Sequence, residues 1–164
     1  MLGKLIGSVR RNHALEHATV SILLGRLGPG VRMVARATAD GFYIYGDIPT
    51  DRVEESAAEG LARLKRGEAG LAISPLCGTN LAVAGLLAGA SSLLALGNRS
   101  RRERLPNVLL SATVAVLAAQ PLGRLAQRHI TTSSDVANME IVGVRQGGHR
   151  VARYHKVETR QRGS

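Results

Sequence analysis

The chain has 164 residues, a net charge of +10, only 2% aromatic residues and a single cysteine. That length holds one domain of ordinary size and excludes two independent cores, and the lone Cys77 excludes an internal disulfide and points to a reducing compartment. Phe42, Tyr43, Tyr45 and Tyr154 are too few for a base-stacking platform, so the dispersed basic charge suits anionic lipid headgroups and argues against nucleic acid.

The opening MLGKLIGSVRRNH reaches a basic pair early and lacks the longer apolar stretch of a secretory signal, so the N-terminus is expected to be retained. From Leu2 to Leu27 the pattern is helical, with Leu2, Ile6, Val9, Val20, Leu24 and Leu27 on one stripe at the 3.6-residue period. Gly28-Pro29-Gly30 ends that helix. VRMVARAT and FYIYGDI then alternate as two strands around the Asp40-Gly41 turn. Thr50 or Asp51 is placed to cap a second helix, in which Val53, Ala57, Leu61 and Leu64 share a face.

Two uncharged runs follow, Ala69 to Asn98 and Leu105 to Gly123. Crossing the hydrocarbon layer takes roughly 20 helical residues, so spans are expected at about 79–97 and 105–123; a buried helix pair in a soluble protein is the alternative. Thr79 or Asn80 is placed to cap the first. Gly85 and Gly89 form a G-x-x-x-G step, and Ser111, Ala115 and Ala119 repeat at that spacing, a composition that lets helix backbones approach closely. The Asn98–Arg104 segment is short enough only for a hairpin. Its arginines favour a cytoplasmic loop, but exporting the N-terminal part without a signal is harder, so both termini are expected in the cytoplasm.

Beyond the hairpin, MEIVGVR and RVARYHKVE flank Gly147-Gly148 as a second β-hairpin, and Thr159 to Ser164 read as a disordered basic tail. The expected architecture is an α+β membrane protein. An amphipathic N-terminal helix and one covering helix pack on an antiparallel sheet made of two β-hairpins (residues 1–72 with 124–158), and residues 73–123 form a two-helix transmembrane hairpin.

The chemistry lies in HALEH. His13 and His17 stand one helical turn apart on one side, so both imidazoles can reach one metal ion, and Glu16 can take a proton from water there. The histidines share a face with Val9, Val20 and Leu24, so they are expected to point inward, where unpartnered polar groups are costly. Without metal, Glu16 would pair with Arg10 or Arg11 in a polar cluster. A third ligand is needed, and Cys77 in SPLCGTN is the first choice, because two His and one Cys with an open fourth position form a catalytic zinc arrangement; the competing reading is a small buried thiol. Glu54, Glu55, Glu59 and His129 are secondary candidates. His149 and His155 are expected to be exposed and idle. Gly147-Gly148 precedes no helix and so is no phosphate loop.

RNHALEHAT (Arg11 to Thr19), GFYIYGDIPT (Gly41 to Thr50) and CGTN (Cys77 to Asn80) together resemble a family of uncharacterised bacterial membrane proteins described as a domain of unknown function. The resemblance implies a place in the bacterial inner membrane but no activity. Members can carry a His shortly before the Cys of CGTN, where this chain has Ile73-Ser74-Pro75. Over five residues HALEH is also similar to the inverted-motif (H-x-x-E-H) zinc peptidases. Their distant glutamate ligand would fall within Leu81 to Gly97, which has no glutamate, so the chain is not assigned to them.

The functional expectation is therefore a membrane protein with a zinc site at His13, His17 and Cys77, and Glu16 as catalytic base of a peptidase-like hydrolase. The alternative is a non-catalytic assembly or scaffold protein that uses its basic surface for lipid and Gly85/Gly89 for a second copy or another membrane partner.

Overall fold

The computed structural model describes residues 2–28, 30–96, 101–148 and 153–162. Among them it shows four α-helices and one four-stranded antiparallel sheet: α1 (Leu2–Leu27), β1 (Val34–Thr38), β2 (Gly41–Tyr45), α2 (Thr50–Lys65), α3 (Gly78–Leu96), α4 (Arg101–Ala126), β3 (Met139–Gly147) and β4 (Tyr154–Gln161). A 3₁₀ turn (Ala69–Ala72) precedes α3, and a π-turn (Gln127–Thr131) continues α4. The chain divides into two compact units, Met1–Ser74 with Arg128–Ser164, and Pro75–Gln127.

In the first unit the strand order is β1-β2-β4-β3, so the two β-hairpins join where β2 pairs with β4. Gly41 makes that join possible. Its φ is +142°, and a Cβ there would fall 1.9 Å from the Val157 carbonyl oxygen, so only glycine lets the two strands meet at this register. The core combines Leu15, Ala18 and Leu23 of α1 with Val53, Ala57 and Leu61 of α2, and with Phe42, Ile44, Met139 and Val157 of the sheet. The α2 face is the one its period predicts. The α1 face is not: Leu2 and Ile6 are exposed, whereas Asn12 and every residue from Ala14 to Thr19 are buried. A helix covered on all sides over two turns leaves no stripe to read.

The α1–α2 crossing is close at Gly60, where a Cβ would lie 3.1 Å from Ala18 Cβ and 3.3 Å from Thr19 N. The predicted Thr50/Asp51 cap is replaced. Pro49 occupies the N-cap position with no side-chain cap, and the Thr50 hydroxyl lies 3.1 Å from His155 Nε2 instead. His155 itself, expected to be exposed, is fully buried, because β4 is a central strand and carries it toward the core side with Val157. His149 lies outside the described residues. Thr159–Gln161, expected in a disordered tail, are the last residues of β4, and Thr159 Oγ1 donates to Asn12 Oδ1 at 2.6 Å.

In the second unit α3 and α4 pack together. α4 begins at Arg101, inside the anticipated loop, and runs through Pro106 and Pro121 beyond residue 123, while its apolar membrane-length window starts at Leu105. Ala115 and Ala119 are buried, and Ser111 Oγ lies 3.4 Å from the Ser91 carbonyl oxygen. Gly85 and Gly89, by contrast, would meet nothing within 4 Å with a Cβ added, so that step faces away from α4. Close approach occurs instead at Gly123, where a Cβ would come 2.0 Å from Asn80 Oδ1. Asn80 does not cap α3: its amide donates to the Pro75 carbonyl at 2.8 Å, and its oxygen accepts from Gln127 Nε2 at 3.0 Å. The capping contact belongs to Cys77, whose Sγ accepts the Thr79 N–H at 3.4 Å.

Candidate metal centre

Packing and backbone carbonyls set the two histidines. His17 is buried, and its Nδ1 lies 2.8 Å from the Ala72 carbonyl oxygen in the 3₁₀ turn. A carbonyl can only accept, so Nδ1 carries the hydrogen and Nε2 keeps the lone pair. That Nε2 is buried and has no hydrogen-bond partner. His13 repeats the pattern: its Nδ1–H donates to the Thr131 carbonyl in the π-turn at 3.0 Å, which makes Nε2 its basic nitrogen. The ring centroids are 4.3 Å apart with an interplanar angle of 61°. Imidazoles that ligate metal characteristically donate the other N–H to a carbonyl or carboxylate, which fixes tautomer and ring angle. Both rings have that arrangement.

His13 and His17 of the first unit offer two imidazole nitrogens to one ion, and Cys77, the third ligand expected from the sequence, stands just before α3 in the second unit. Cys77 is itself buried, and the Thr79 amide at the α3 N-terminus presents partial positive charge to the sulfur, a setting that suits a ligating thiolate.

Glu16 is buried in the same turn of α1 as the two histidines. Arg10, expected as one partner for it, directs Nη2 to the carbonyls of His129 (2.9 Å) and Thr132 (3.0 Å), and the Arg11 guanidinium lies over Gly7. The secondary ligand candidates are elsewhere: Glu55 and Glu59 pair with Arg26, Glu54 is exposed, and the His129 side chain is exposed. Sequence reasoning missed the carbonyls of Ala72 and Thr131, which orient the two rings. A backbone carbonyl is the same in every residue, so no side-chain pattern marks it.

Comparison with known proteins agrees with the resemblance to a family of unknown function. The chain is 35% identical over 138 residues to an uncharacterized protein of Picosynechococcus sp. (strain PCC 7002), an alignment covering 76% of this chain and 66% of that protein. The chain thus spans just under two thirds of that relative's length. No solved structure matches. The family described as a domain of unknown function, DUF6391, matches residues 8–144, from the turn before HALEH into β3, and the chain belongs to that family.

Proposed function

We propose that the chain is a two-span membrane protein that holds a transition metal, zinc by its donor set, through His13, His17 and Cys77, and that the centre is hydrolytic. The observation that carries the metal reading is the Nε2 atom of His17. It is buried, deprotonated by the demand of the Ala72 carbonyl on Nδ1, and has no hydrogen-bond partner. A polar atom so placed costs on the order of 1–3 kcal/mol if nothing meets it. An ion shared with His13 and Cys77 removes that cost.

Three protein ligands leave a fourth position for substrate or water, the mark of a catalytic rather than a structural zinc site. A bound zinc ion supplies Lewis acidity. The chain supplies the rest: two imidazoles fixed by carbonyls, a sulfur at a helix N-terminus, and Glu16 as a buried carboxylate to take up a proton from attacking water. A peptide or other acyl substrate near the bilayer is the class to test.

The helix pair supports the membrane part of the reading. Two windows, Gly78–Ala95 and Leu105–Thr131, are long and apolar enough to cross a bilayer, and only 6% and 17% of them are buried. A core helix pair of a soluble protein would be mostly buried. Here Leu81, Leu86, Leu93, Leu94 and Leu117 are each more than 70% exposed, an apolar surface that suits lipid. The Ser111 and Thr113 hydroxyls bond carbonyls one turn back, as polar groups in hydrocarbon must. We place the helices in the bacterial inner membrane with both termini cytoplasmic. The outward Gly85/Gly89 step favours, as a second reading, a scaffold role in which another helix packs there.

The test is metal analysis of detergent-purified protein. Wild type and Glu16→Gln are expected to hold stoichiometric metal, while His17→Ala and His13→Ala lose it. Metal-free wild type after purification with added zinc, or full retention in His17→Ala, would leave only the scaffold reading.

A further inference from the structure

A helix end leaves its last carbonyls without partners, and a π-turn is a sparsely used conformation often found at functional sites. After α4, carbonyls of the π-turn and of the residue following it are met by one turn of α1. Arg10 Nη2 donates to the His129 and Thr132 carbonyls, and the Ser133 amide donates to the Arg10 carbonyl at 3.0 Å. Between the two carbonyls held by Arg10 lies that of Thr131, the acceptor for His13 Nδ1–H. Arg10 and His13, three residues apart, thus work side by side on consecutive turns of the same short segment.

We infer that Arg10 is a positioning residue of the metal centre. By holding the carbonyls of His129, in the π-turn, and Thr132, just after it, it fixes where the Thr131 carbonyl points, and so the tautomer and angle of the His13 ring. This inference rests on the metal reading above. It also explains why the segment after the second apolar helix closes with a π-turn rather than fraying. The guanidinium carries the positive charge that suits a helix C-terminus, and one of its nitrogens reaches two carbonyls. Without it, the carbonyls would turn to water and His13 would lose its fixed acceptor.

The test compares full-length wild type, His17→Ala and Arg10→Met in detergent. It measures zinc affinity by chelator competition and the absorption spectrum of the cobalt-substituted protein. Loss of an outer-shell partner weakens metal affinity by about 10- to 100-fold, and Arg10→Met is expected in that range with an altered cobalt spectrum. Tyrosine emission from Tyr43, Tyr45 and Tyr154, all in the sheet, checks that the fold survives. Should Arg10→Met not fold, Arg10→Gln, which keeps an amide donor for one carbonyl, decides in its place. Wild-type affinity together with a wild-type cobalt spectrum in the folded variant overturns the positioning role and leaves the metal site standing. Failure of wild type to bind, or binding by His17→Ala equal to wild type, instead overturns the site itself.

Discussion

Replacing His155 by Gln should remove a defined part of the protein's pH dependence. His155 is fully buried in β4; its Nε2 meets the Thr50 hydroxyl, and its Nδ1 is buried without a partner. Among the described residues no carboxylate bonds the ring, and burial pushes its pKa below the ordinary 6.5. The unfolded chain therefore binds a proton on this ring at a pH where the folded chain does not, and stability falls as pH drops below about 6.5 until the folded ring also protonates. With an unfolded reference near 6.5, linkage limits the loss between pH 7.0 and 5.5 to at most about 1.2 kcal/mol, the full amount for a folded ring that stays neutral throughout. Urea unfolding of the detergent-solubilised protein in chelator, followed by tyrosine emission, reads this directly, because the chain has no tryptophan and its three tyrosines all lie in the sheet. The chelator removes metal linkage at His13 and His17, and the wild-type-minus-variant difference cancels groups common to both. Equal pH slopes for wild type and His155→Gln between pH 7.0 and 5.5 would refute the reasoning, as would a His155 ring that titrates at its ordinary value by NMR.

Two further outcomes follow from close contacts. Gly41→Ala places a methyl group 1.9 Å from the Val157 carbonyl oxygen at a φ of +142°, so the β2–β4 ladder must give way; a loss of about 3 kcal/mol or more is expected in the same urea titration. Gly123→Val should drive Asn80 off Gln127 and Pro75, lowering the thermal midpoint of the helix hairpin by circular dichroism while leaving tyrosine emission at room temperature unchanged.

The elements were legible where one face alone is buried or a turn demands a special residue. Val53, Ala57, Leu61 and Leu64 mark α2 through their period, and Asp40-Gly41 marks the first hairpin. The α1 face was not legible, because Ala14 to Thr19 is covered on every side. His155 was misplaced because Tyr154-His155-Lys156 shows no apolar alternation, although both His155 and Lys156 end up buried, the lysine beside Asp40 and over the Tyr43 ring. For the candidate metal centre, spacing pointed to His13 and His17, and a turn pointed to Cys77. The carbonyls that orient the rings, and the arginine that holds the carbonyls flanking one of them, depend on how segments 55 to 122 residues apart meet.

The strand order β1-β2-β4-β3 also sets a timetable for synthesis. The first hairpin emerges from the ribosome early, yet β2 finds its second neighbour only when β4, more than a hundred residues downstream, has been made. Both apolar helices are translated in that interval. Until then the Phe42 and Ile44 strand has one edge unsatisfied, a state prone to wrong pairing. Delivering the nascent chain to its destination before the sheet closes would shorten that exposure, and a ribosome stalled after α4 would leave it permanent.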